Sequence, residues 1–162
     1  MSTNNHEYHL KKIIPLLTLA KGHYQQLVLI SGGNWQNRTV ILQAAASRFD
    51  LFYSSLSLPL SRALLERSPK ERPMVLADYM TTLVTPQSGD GVAIDHIEIL
   101  FDPALHTNPL RLLQMQAHSR LVLASWPGQF DQDRLIYAEP GHPEYYSEKA
   151  DDLITYAIEV DG

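Results

Sequence analysis

A chain of 162 residues, 44% apolar and 19% charged, has room for one hydrophobic core and little room for two domains. The absence of cysteine excludes a disulfide framework and a thiolate zinc site, and it points to a reducing compartment, the cytoplasm. A net charge of -5, with nine acids against Arg134 and Lys149 from Gln129 onward, speaks against electrostatic capture of nucleic acid, which needs many Lys and Arg contacts.

The first nine residues are polar and lead into no long apolar segment, so neither secretion nor membrane insertion is expected. Ile13, Ile14, Leu16, Leu17 and Leu19 recur with helical spacing and predict a helix over about residues 10–24, with Pro15 near its start. This N-terminal segment, residues 1–24, precedes an α/β core over residues 25–162 within a single domain. Leu27, Val28, Leu29 and Ile30 form an unbroken apolar run stopped by Ser31, Gly32 and Gly33, the pattern of a strand buried on both faces of a parallel sheet. After a loop from Asn34 to Asn37, Val40, Ile41, Ala44, Ala45 and Phe49 keep helical spacing. Strand character returns over residues 51–56, helix over 59–67 and 73–84, strand over 91–95, helix over 108–118 and strand over 120–125. Residues 135–137 and 154–160 are the last strand candidates. Such alternation predicts a mostly parallel sheet flanked by helices.

A glycine loop between a strand and a helix can cradle phosphate, because backbone N–H groups converge at the helix N-terminus. Gly32, Gly33, Asn34, Trp35, Gln36, Asn37, Arg38 and Thr39 have the spacing of the P-loop motif GxxxxGK[ST]. Asn37 stands at the second glycine and Arg38 at the lysine, while Thr39 keeps the hydroxyl that meets magnesium. Asparagine tolerates a left-handed backbone, but a planar guanidinium does not replace a compact ammonium between phosphates. ATP and Mg2+ are therefore the expected ligands of the site if it binds anything, with efficient hydrolysis disfavoured. Asp95 ends an apolar strand where P-loop ATPases place the acid that helps to hold magnesium. A helix-capping aspartate would read the same way. His96 follows it and Glu98 lies two positions farther on, so both are candidates for handling a proton and neither holds the usual place of the glutamate. Ser125, at the end of its strand, sits where related ATPases keep a polar sensor; a plain strand-end serine fits equally.

Residues 94–105 (IDHIEILFDPAL), 108–113 (NPLRLL), 125–128 (SWPG) and 137–145 (YAEPGHPEY) resemble the BrxF family, the small P-loop protein of type 3 BREX phage-defence systems. The resemblance runs from about Leu27 to the C-terminus, and the 137–145 tract is its most specific part. It implies a P-loop NTPase-like (AAA+/ASCE-like) fold and a role beside a larger ATPase, a DNA methyltransferase and a PglZ-type protein. The resemblance implies that members often carry an intact GxxxxGK[ST], so Asn37 and Arg38 shift the expected role from nucleotide turnover to binding and assembly with other BREX proteins. An active ATPase that completes its site as a homo-oligomer with a neighbour's arginine, and a DNA-binding adaptor, are the alternatives.

The seven histidines show no ligand pairing of the HExxH kind and are read as structural or surface residues. The tract with Pro140, Gly141 and Pro143 is expected to be a rigid loop open to a partner. Arg62, Arg67, Lys70 and Arg72 form a basic cluster that a solvated helix face explains. Trp35 and Trp126 are expected at the carboxyl edge of the sheet, either stacking on a base or covering the sheet's end.

Overall fold

The computed structural model describes residues 3–87, 89 and 91–158. It opens with α1 (Thr3–Ala20), whose buried face carries Leu10, Ile13, Leu17 and Ala20, spaced by three and four so that they return to one side. The helix begins before the expected residue 10 and ends short of residue 24, and Pro15 falls in its interior rather than near its start. Pro15 and Lys11 are both on the exposed side, where a carbonyl that a proline cannot serve is least costly because water can reach it. No apolar period precedes Leu10. The early turns are instead anchored by His9, which is buried and whose Nδ1 lies 2.5 Å from the Tyr156 hydroxyl.

The chain continues through β1 (Leu27–Gly32), α2 (Trp35–Phe49), β2 (Leu51–Ser55), α3 (Ser57–Leu65), α4 (Arg72–Val84) and β3 (Gly91–Asp95). Two short 3-10 turns, Glu98–Phe101 and Pro103–Leu105, lead to α5 (Pro109–Gln116) and β4 (Leu121–Ser125). Then come β5 (Gln129–Asp131), β6 (Arg134–Tyr137), β7 (Tyr146–Lys149) and β8 (Ile154–Ile158). Glu159 and Val160, expected to extend the last strand, lie outside the described residues.

This is a single α/β domain around a five-stranded parallel sheet of order β2-β3-β4-β1-β8, as the alternating patterns predict. Strand β4 is inserted between β1 and β3. Its register pairs Ser125 with Ile30 and Ala124 with Ile94, which brings the carboxyl ends of the three strands level along one edge. Side chains alternate across the sheet. Val28, Ile30, Ala93, Leu121 and Leu123 face α1 and α2, while Leu27, Leu29, Val92, Ile94, Val122 and Ala124 face the remaining helices and turns.

Between β4 and β8 the chain forms a three-stranded antiparallel sheet of order β5-β6-β7. Only its central strand was legible as a strand; β5 is three residues long and mostly exposed, β7 four residues long and half-buried, and neither carries an apolar run. Trp126 docks this sheet onto the core. It is 0% exposed, its indole Nε1 donates to the Ile136 carbonyl at 3.1 Å, and its ring meets Phe101 edge-on at 5.3 Å. Of the two readings given for Trp126, stacking on a base is therefore overturned, since no ring face reaches solvent. Among the described residues, no helix is long and apolar enough to cross a membrane.

Candidate functional site

The loop after β1 is shorter than its motif suggests. Gly32 and Gly33 take positive φ of 83° and 57°, and Asn34 then caps α2, accepting a 2.8 Å hydrogen bond from the Asn37 backbone N–H on its side-chain oxygen. The helix starts at Trp35, so the stretch Asn34 to Asn37, expected as loop, is the cap and first turn of α2. The cause is local: an asparagine at the cap satisfies a donor of the first turn, and that donor is one an incoming phosphate would otherwise meet. Gly32 has a separate reason to be glycine, because a Cβ there would stand 2.4 Å from the Ile158 carbonyl oxygen on β8.

Strand alternation turns Ser125 and Asp95 to the face covered by α2, where Arg38 and Thr39 project from its first turns. Arg38 is only 6% exposed. Its Nε donates to Ser125 Oγ at 2.9 Å and its Nη1 to the Gly32 carbonyl at 3.0 Å. Among the described residues it makes no ion pair within 4 Å. Burial lowers its pKa from the ordinary arginine value, opposed by the more distant charges of Glu98 and Asp95.

Thr39 Oγ1 donates to Asp95 Oδ2 at 2.6 Å. Tyr53 Oη, from β2, donates to the same oxygen at 2.6 Å, and the His96 backbone N–H donates to Asp95 Oδ1 at 2.9 Å. Burial first, then the hydrogen bond to Asp95, push the Tyr53 phenol well above its ordinary range, so it stays protonated and a donor. The sequence offered no direct signal for Tyr53. Its contact depends on β2 lying beside β3 with Ser55 opposite Asp95, a neighbour relation that a strand pattern alone does not carry.

The structure thus brings Gly32, Arg38, Thr39, Asp95 and Ser125 together. Of the other two acid–base candidates, His96 lies beside Asp95 and Glu98 stands farther along the chain. His96 adopts a left-handed backbone with φ of 55°; its Nε2 stands 3.5 Å from Asp95 Oδ2 and its ring lies 5.8 Å from that of Trp35. Glu98 opens a 3-10 turn and accepts a long 3.4 Å contact from Ser57 Oγ. Trp35 is 54% exposed at the mouth of the loop, and Gln36 is exposed beside it.

Away from this edge, Arg67 donates to the Tyr79 hydroxyl at 2.9 Å, and Arg72 Nε donates to the Leu64 and Arg67 carbonyls at 2.9 and 3.1 Å. Half of the basic cluster therefore ties α3 to α4. The 137–145 tract links β6 to β7 as an exposed double turn, with His142 N–H donating to the Glu139 carbonyl and Tyr145 N–H to the His142 carbonyl. Among the described residues, no three His, Cys, Asp or Glu side chains gather in a way that could hold a metal ion. Comparison with family models, with curated proteins and with solved structures finds no match.

Proposed function

We propose that this chain is a P-loop NTPase-like (AAA+/ASCE-like) subunit whose nucleotide site has been converted into a packed structural node, and that it serves by binding and assembly rather than by turnover. The observation that carries this reading is the Arg38 guanidinium, buried between the Gly32 carbonyl and Ser125. A side chain that is to grip phosphate points its charge at the space in front of the helix; this one spends two of its donors on the protein's own loop and strand.

Three further features support the ancestry. A strand lies between the loop strand and the acid strand, Thr39 meets Asp95, and Ser125 ends the inserted strand level with both. The residues as they stand do not fit a magnesium nucleotide: the capping Asn34 takes the place of an anion at one N–H of the helix, and Arg38 fills the approach to Ser125. Together with the resemblance of the 94–105, 125–128 and 137–145 segments to BrxF, this supports a cytoplasmic component of a BREX-type phage-defence system that works through other proteins of that system. The exposed β6–β7 loop is the part of the surface offered to them. The DNA-adaptor alternative loses support because Arg67 and Arg72 are committed to the α3–α4 turn.

The test pairs two measurements. Purified protein is assayed for ATP turnover with Mg2+, and the tagged protein is co-purified from cells carrying a complete BREX system. Expected are no turnover and recovery of BREX proteins with the tag. Turnover that Thr39→Ala and Asp95→Asn both abolish, or recovery of no BREX protein, would overturn the proposal.

A further inference from the structure

In a working P-loop site the acid at the end of its strand and the hydroxyl of the loop share a divalent cation. Here the acid has been given other partners. Asp95 is buried, and a carboxylate oxygen offers about two lone-pair directions. On Oδ2 both are taken, by Thr39 Oγ1 and Tyr53 Oη at 2.6 Å each, while Oδ1 accepts the His96 backbone N–H at 2.9 Å. A magnesium ion demands oxygen ligands in near-octahedral order and gives up water reluctantly, so it would have to displace two short hydrogen bonds and an aromatic side chain. Tyr53 is held for this contact by the sheet itself: β2 pairs Ser55 with Asp95 and Tyr53 with Ala93, so the tyrosine lies two residues back on the same face and its ring spans the gap to the carboxylate.

We propose that Tyr53 stands in for the divalent cation: it is a positioning residue whose phenol, with Thr39, closes Asp95 into a metal-free hydrogen-bonded cluster and keeps cations out. The inference rests on the proposed reading of the loop as a converted phosphate site, and it adds the residue responsible for the loss of the metal. Tyrosine suits the task because it reaches across a strand spacing and donates one hydrogen bond without bringing a charge. Phenylalanine has the same reach and no donor, so Tyr53→Phe removes the hydrogen bond while keeping the packing.

Equilibrium unfolding of the parent, Tyr53→Phe, Asp95→Asn and the double variant in EDTA measures the coupling. Water-proton relaxation during titration with Mn2+ alone measures cation uptake by the parent, by Tyr53→Ala, which removes the ring as well as the hydroxyl, and by Tyr53→Ala combined with Asp95→Asn. Each single change is expected to lower the folding constant about ten- to hundredfold, the scale of a hydrogen bond to a charged group, and the double variant to fall little below the weaker single. The parent takes up no Mn2+; Tyr53→Ala does, and Tyr53→Ala combined with Asp95→Asn does not. Additive losses, Mn2+ uptake by the parent, or no uptake by Tyr53→Ala each overturn the inference. The parent titration needs no variant to fold. Failure to recover BREX proteins would sink the proposed function and leave this cluster intact, whereas additive losses sink the cluster whatever the protein's partners are.

Discussion

Arg38 and Ser125 are 87 positions apart in sequence and joined by a 2.9 Å hydrogen bond at the carboxyl edge of the sheet. The bond closes a path from the first turn of α2 to the end of β4, and the second bond of Arg38, to the Gly32 carbonyl, returns it to β1. Removing the side chain leaves a buried hydroxyl and a carbonyl short of a donor. Arg38→Ala is therefore expected to cost about 2–4 kcal/mol of stability in urea unfolding. Arg38→Lys should recover only part of this, because an ammonium lacks the fork that reaches both acceptors. A ligand-gripping arginine behaves differently, so an Arg38→Ala protein as stable as its parent would count against the structural role.

Gly32 carries a backbone argument that owes nothing to phosphate. With φ of 83° and a would-be Cβ 2.4 Å from the Ile158 carbonyl oxygen, any side chain must both strain the loop and push β8 from β1. Gly32→Ala is expected to destabilise by roughly 2–4 kcal/mol, combining a left-handed non-glycine residue with overpacking against backbone. Gly33→Ala, where the nearest neighbours are side-chain atoms at 3.3 Å, should cost less. Thermal unfolding of the two variants side by side gives the comparison, and equal losses would remove the role assigned to the β1–β8 contact.

Stability should fall on mild acidification, through His9. It is 5% exposed, and burial, then the neighbouring His6, lowers its pKa from the ordinary value of 6.5. The unfolded chain therefore takes up a proton at a higher pH than the folded one. Stability from this site is fully present above about 6.5 and is lost as pH falls towards the lowered folded value. Melting temperatures measured from pH 8 down to about pH 5 should decline over the lower part of that range for the parent, and His9→Gln should flatten the decline. An unchanged slope in the variant would assign the pH dependence to other groups.

How far the sequence could be read follows from where each signal resides. Leu27 to Ile30, Gly91 to Asp95 and Leu121 to Ser125 announced their strands because a strand buried on both faces must be apolar throughout. The meeting of Thr39 with Asp95 was legible through the spacing of a loop and a strand end. What stayed hidden depends on tertiary neighbours. Gln129 to Asp131 and Tyr146 to Lys149 are strands through their pairing with β6, one on each side, in a sheet that Leu135 and Trp126 seat on the core. The polar turns before Leu10 are helical with His9 set against Tyr156. Tyr53 and the inward turn of Arg38 follow from strand order and from the cap at Asn34, neither of which a one-dimensional pattern encodes.

The two tryptophans give an optical test of the small sheet's attachment. Trp35 is 54% exposed and Trp126 fully enclosed by Phe101, Tyr146 and the Ile136 carbonyl. Iodide, which does not enter a packed core, should quench the emission of Trp126→Phe, where Trp35 is the sole indole, and leave that of Trp35→Phe nearly unchanged. Trp126→Phe should also cost about 1–3 kcal/mol, since the smaller ring leaves a void and the Ile136 carbonyl loses its donor. Trp35→Phe, on an exposed helix turn, should shift stability by no more than about 0.5 kcal/mol. Strong quenching of the indole in Trp35→Phe would mean that β5, β6 and β7 open from the core in solution, and the edge formed by Ser125, Arg38 and Gly32 would then be more accessible than its hydrogen bonds imply.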